Sequence, residues 1–135
     1  QGVPTGAFWD GTQFDLPRVL TDVVETRVAG RTAMYSPWDW ANGCSGEHTV
    51  TVEPQGVVVI EGVCALHEMF RHDLAVRVWV DAPADVRLAR GVARDGEGSR
   101  ATWTEVWMPN EDAYVARDRP VECAHVVVDG TRPVD

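Results

Sequence analysis

Arg87, Arg90 and Arg94 stand three and seven residues apart. On a helix of about 3.6 residues per turn this spacing places them within about 60° of one another. Such a stripe, with Arg100 after the turn at Gly96-Glu97-Gly98, can clamp phosphate oxygens with planar, multidentate donors. The same stripe can equally be a solvated face whose arginines pair with carboxylates such as Asp85 and Asp95. Glu61 ends the apolar run Val57-Val58-Val59-Ile60. An open α/β sheet places its ligand crevice at the carboxyl ends of its strands, so this carboxylate can hold a magnesium ion, directly or through water, beside nucleotide phosphates. A structural cap or ion pair is the alternative. Tyr35-Ser36-Pro37-Trp38-Asp39-Trp40 brings three rings and one carboxylate into six residues. Ring faces can stack on a nucleobase and the acid can accept from a ribose hydroxyl; aromatics plugging a loop onto a sheet would look the same.

These residues need elements to position them. Three β-branched runs read as strands: Val57-Val58-Val59-Ile60, Val76-Arg77-Val78-Trp79-Val80 and His125-Val126-Val127-Val128. The first and third are nearly all apolar, as expected of strands covered on both faces in a parallel sheet. Between the second and third, Pro83 suits a helix start, with Asp81 or Ala82 as cap, and Gly96 stands just past a helix end. Val86, Ala89 and Ala93 recur at helical spacing and predict its apolar face. Further helices are predicted over 16–28, with Val19, Leu20, Val23 and Val24 inward and Gly30 as terminator, and over 103–117, broken or restarted near Pro109. A short one is expected over 65–72. Strands alternating with helices point to an α/β fold with a parallel sheet.

Composition narrows the function. The chain has 135 residues, 44% of them hydrophobic and 24% charged, which fits one compact domain or part of one. A net charge of −9 argues against nucleic acid or a membrane surface as partner, since both are polyanions. An anionic ligand must therefore meet a local group of arginines. Cys44, Cys64 and Cys123 are odd in number and match no zinc spacing, which favours a reducing, cytoplasmic setting over a disulfide framework. The longest apolar run, 56–62, is too short to span a bilayer. His48, His67, His72 and His125 are dispersed, and no serine sits in a nucleophile elbow. The chain starts at Gln1 in the loop-like stretch Gly2-Val3-Pro4-Thr5-Gly6, as a piece of something longer would; processing or a missing start codon would look the same.

The order of motifs resembles the uridine kinase family of P-loop kinases, over 14–130. Phe14-Asp15-Leu16-Pro17 is similar to its FDxP element, Trp38-Asp39-Trp40 to its YDF or YDW element, and Val59-Ile60-Glu61-Gly62-Val63 to its third-strand EG motif. Val80-Asp81, then Arg87-Leu88-Ala89-Arg90 and Arg94-Asp95, resemble its strand, helix and arginine-rich lid; Ala124-His125-Val126-Val127-Val128-Asp129-Gly130 resembles its last strand. The resemblance implies a P-loop kinase-like three-layer sandwich with a parallel sheet. It implies transfer of the γ-phosphoryl group of ATP to the 5′-hydroxyl of uridine or cytidine, with Mg²⁺. Asp15 would contact the ribose, and Trp38, Asp39 and Trp40 would line the acceptor pocket. Arg90, Arg94, Arg87 and Arg100 would meet phosphates as a lid closes, and Glu61 would lie near the metal. Positioning and charge neutralisation dominate such transfers.

The departures from that pattern define the remaining expectations. No GxxxxGK[ST] occurs in the chain, and the family's DDFY-like segment, which carries the catalytic base, has only Asp10 in Phe8-Trp9-Asp10-Gly11 as a poor substitute. Trp38 stands for the usual tyrosine, Leu16 for a histidine and Gly91 for one lid arginine. A single partial domain is expected, with an acceptor region near 8–48, a sheet core near 50–82 and 124–130, and a lid near 83–119. It would lack its N-terminal strand and P-loop, be unstable alone and be inactive by itself. The competing readings are a kinase of another small alcohol, such as pantothenate or a sugar phosphate, and a non-catalytic nucleoside-binding pseudokinase. Homo-oligomers are compatible with all three.

Overall fold

A computed structural model describes residues 14–39 and 41–132. Trp40 and Asp10 lie outside the described residues. The chain forms two compact units, one over Phe14–Glu61 and one that includes the residues from Gly62 onward.

In the first unit Asp15 starts a helical span. Its Oδ1 accepts from the Arg18 backbone N–H at 3.2 Å, satisfying a donor that the first helical turn leaves free. Helix α1 (Leu16–Arg18) continues through a π-wound stretch, Val19–Val24, into α2 (Glu25–Val28). Leu16 and Val24 are buried, while Val19, Leu20 and Val23 are half-buried, so the expected span and its inward side are both present. Gly30 follows as terminator, its N–H donating to the Arg27 carbonyl at 2.9 Å.

Four short strands follow. β1 (Ala33–Tyr35) pairs antiparallel with β4 (Val50–Val52), and β2 (Trp38–Asp39) pairs antiparallel with β3 (Cys44–Ser45). The registers Tyr35↔Val50 and Trp38↔Ser45 nest one pair beyond the other, so the aromatic segment is the tip of a hairpin arm rather than a loop. Strands of two residues are too short to show alternation, which is why periodicity did not mark them. The run 57–60 does not form the expected strand: among the described residues no ladder includes it, and Val57 is 92% and Val59 78% exposed. Apolar character alone does not make a strand without a neighbour to take up its backbone donors and acceptors.

The second unit is mixed α/β around a small parallel sheet. Its strands β5 (Val78–Asp81) and β6 (Val126–Asp129) run side by side in the register Val78↔Val126 to Asp81↔Asp129. A parallel pair requires a long crossover. Helices α3 (Ala84–Asp95), α4 (Arg100–Thr102), α5 (Met108–Asp118) and α6 (Pro120–Cys123) lie between the two strands in the chain. α3 ends at Gly96, whose φ of +90° is a conformation open to glycine.

Three local expectations change here. The segment 65–72 is a series of turns, with one 3₁₀ turn at Arg71–Asp73, and not a helix. Ala89 and Ala93 are exposed, and α3 turns Gly91 and Val92 inward, with Leu88 half-buried. Pro109 does not break the third helical span. Instead Trp103–Trp107 is π-wound just ahead of it, a wider ladder that accommodates the missing proline N–H.

The core of this unit lies where 64–70 meets α5 and α6. Cys64, Leu66, Phe70, Tyr114 and Pro120 are buried around His67 and Asp118. The Asp118 carboxylate receives the Glu68 N–H at 3.3 Å and the Arg117 guanidinium, and its Oδ2 lies 3.6 Å from His67 Nε2. Met69 N–H donates to His67 Nδ1 at 3.1 Å, which leaves Nε2 to carry the ring proton toward Asp118. Burial alone would push Asp118 up, but these donors outweigh it and hold the carboxyl below the usual range. Burial, reinforced by Asp118, pushes the Cys64 thiol up to about 11, so it stays protonated near neutrality.

Candidate functional site

The hairpin arm of the first unit surrounds a cleft of about 610 Å³, a volume in the range of small-molecule sites. Trp38 and Asp39 line it from β2, Asn42 from the turn, and Ser45, Glu47 and His48 from β3 and the chain beyond. Trp38 is 51% exposed and lines the cleft. Asp39 is engaged in building the turn. Oδ1 accepts from the Ala41 and Asn42 N–H groups at 2.9 and 3.1 Å, and Oδ2 from Asn42 Nδ2 at 2.7 Å. The Asn42 side chain, then its backbone N–H, holds the carboxyl below its ordinary value, so it is an anion at the cleft wall.

Arg18 fastens this arm to the helix. Its guanidinium donates to the Ser36 carbonyl, to Ser45 Oγ at 3.2 Å and to Asp22 at 3.3 Å. The sequence alone does not single out Arg18, Asn42, Ser45 or Glu47, and it reads His48 as a dispersed surface or structural histidine, whereas His48 lines the cleft. The Asp39–Gly43 turn signal could have found them, since Asx and glycine at this spacing mark a hairpin. Asp15 is not brought to the cleft wall; its carboxylate caps α1.

In the second unit the arginine stripe is present on α3 and its partners are specific. Arg87 pairs with Glu111 and, at 3.5 Å, with Asp112 of α5. Arg90 Nη1 donates to the Gly130 carbonyl at 2.6 Å, which puts its guanidinium at the carboxyl end of β6. Gly130 in turn donates to the Asp81 carbonyl at 2.7 Å, at the end of β5. Arg90 thus sits where parallel sheets present their ligand crevice. Arg94 forms a bidentate pair with Asp95, Nε to Oδ1 at 2.7 Å and Nη2 to Oδ2 at 3.0 Å, which holds Asp95 below the usual carboxylate range. Arg100 pairs with Glu97. Of the two readings of the stripe, the carboxylate pairing is visible directly for Arg87, Arg94 and Arg100.

Glu61 is exposed, with no hydrogen bond or ion pair among the described residues. Among those residues no group of three or more histidines, cysteines or carboxylates could hold a metal. The strand-end position expected for Glu61 is not formed, because 57–60 lies in no ladder among the described residues, and Glu61 offers a cation a single exposed carboxylate. No helix among the described residues is long and apolar enough to cross a membrane.

No family model matches the chain. Individual curated proteins do. A uridine kinase of Macrococcus caseolyticus is 34% identical over 109 residues, covering 80% of this chain and 50% of that protein. A uridine kinase of Staphylococcus haemolyticus is 31% identical over 83 residues, covering 61% and 40%. One of Bacillus pumilus is 37% identical over 59 residues, covering 43% and 28%. The small parallel sheet with its arginine helix and the Trp38–Asp39 cleft belong to a mixed α/β chain. Together these likenesses support a uridine kinase-like family for the chain. It spans about half, or less, of the length of the curated relatives it matches.

Proposed function

We propose that the whole protein transfers the γ-phosphoryl group of ATP to the 5′-hydroxyl of uridine or cytidine, and that this chain carries the acceptor and lid halves of the site. The observation that most supports this reading is the 34% identity to a uridine kinase over 109 residues. The Trp38 face and the anionic Asp39 beside it suit a nucleobase with its ribose. Asp15 and Trp40 join them as acceptor residues in this reading. Arg90 and Arg94 would meet the transferring phosphoryl group, with Arg87 and Arg100 supporting the lid. Glu61 would hold Mg²⁺ directly or through water, and the ion would supply charge neutralisation between phosphates. The fold would be a P-loop three-layer sandwich in a single domain, with GxxxxGK[ST] supplied from outside these residues. The protein would work in the cytoplasm.

The test is phosphoryl transfer by the whole protein, with Mg·ATP and either uridine, cytidine, pantothenate or a sugar phosphate. Formation of nucleoside 5′-monophosphate is expected. Phosphorylation of another alcohol only, or upstream residues without GxxxxGK[ST] over roughly one βα unit, would overturn it. A second reading, a nucleoside-binding pseudokinase, is favoured by one observation: Arg87, Arg94 and Arg100 already hold carboxylates. Uridine binding in calorimetry without ATP consumption would select it.

A further inference from the structure

Position 91 carries glycine in the middle of the arginine stripe, and the structure supplies a reason. A Cβ added there would lie 2.4 Å from Cε2 and Cζ2 of Trp103, far inside van der Waals contact. Gly91 is buried beneath that indole. The indole then makes two further contacts. Its Nε1–H donates to Asp95 Oδ2 at 3.0 Å, the same oxygen that receives Arg94 Nη2. Its ring lies 5.8 Å from Arg94 Cζ, within reach of a cation–π contact. Trp107 stands edge-on to Trp103 with ring centroids 5.0 Å apart.

Arg94 is therefore held from two directions. Asp95 takes its Nε and Nη2 edge, and the indole lies against the guanidinium. The Arg94 side chain is 73% exposed, so the Nη1 edge, with the second Nη2 hydrogen, faces outward. A guanidinium fixed on one edge and open on the other is preorganised for an anion, because little side-chain freedom remains to be lost on binding. Resting on the kinase reading, we propose that Trp103, seated on Gly91, is a positioning residue. It acts through Asp95 to aim the free edge of Arg94 at a phosphate oxygen of the substrate.

The experiment is a double-mutant cycle in the whole protein, with Trp103→Phe, Arg94→Ala and both together. It is read on kcat/KM for ATP and on the Kd for inorganic tripolyphosphate, with thermal melting as a control for folding. Trp103→Phe keeps a ring over Gly91 and removes the hydrogen bond to Asp95, so it is expected to lower kcat/KM and weaken tripolyphosphate about tenfold. In the Arg94→Ala background the same change is expected to have no further effect, because its route is already gone. A packing role alone would give the same loss in both backgrounds and overturns the proposal, as does an Arg94→Ala protein that binds tripolyphosphate like the parent. A parent protein that phosphorylates no nucleoside sinks the kinase reading instead, and the tripolyphosphate cycle still decides the role of Trp103. Gly91→Ala is expected to reproduce the Trp103→Phe loss by displacing the indole; if it only unfolds the protein, the phenylalanine variant carries the test.

Discussion

The hairpin unit and the arginine unit treat their polar groups in opposite ways. In the hairpin unit Arg18 braces the arm from behind, while Trp38 and the Asp39 turn are presented to an open cleft. In the arginine unit the charges are matched close to home: Arg87 with Glu111, Arg94 with Asp95, Arg100 with Glu97, Arg117 with Asp118. An open cleft suits a neutral, flat ligand that needs a surface already formed. Carboxylate-paired arginines attract an anion less than free ones, and what they keep for it is donors on the edge that the carboxylate does not take.

Substitutions can break or sharpen this contrast. The largest expected effect lies in the buried cluster of the arginine unit. Asp118→Ala removes the acceptor for Glu68 N–H and Arg117 and is expected to cost about 3 kcal/mol of stability, read from urea unfolding at neutral pH. The pH dependence follows from the lowered Asp118 value. The contribution is fully present above the unfolded carboxyl value of about 3.9 and is lost as pH falls through the lower folded value. The gap between parent and Asp118→Asn should therefore narrow on acidification, and a gap constant from neutral pH into strong acid would refute the pairing.

Next in size is Arg90→Ala, which takes a guanidinium from the carboxyl end of β6. A loss of about a hundredfold in kcat with little change in the nucleoside KM is expected from steady-state kinetics of the whole protein. An equal loss spread between KM and kcat would assign Arg90 to binding and blur the contrast. The smallest effect is expected from Trp38→Ala in the open cleft. It should raise the nucleoside KM about tenfold, leave kcat alone and leave the melting temperature nearly unchanged, because the residue is half exposed.

The legible parts of the fold were those whose determinants lie close together in the chain. Pro83 and Gly96 bracket α3, and the valine runs give β5 and β6 to within a residue or two. The run 57–60 has the same composition and no ladder, since strand formation depends on a partner that the run itself does not encode. The π-wound stretches were not legible, because their residues satisfy ordinary helical spacing. At the site, Trp38 and Asp39 were readable as a pair. The brace from Arg18 to Ser45 spans 27 residues and the pairing of Arg87 with Glu111 spans 24, and both needed the folded chain.

Gly130 lies between the ends of the two parallel strands. A methyl group there would meet the Asp81 carbonyl oxygen and Val80 Cγ1 at 2.9 Å each. Any side chain at this position would force the Asp81 carbonyl and the Val80 methyl to move. A hydrogen atom at position 130 therefore sets the spacing of the strand ends, and with it the carbonyl on which Arg90 rests.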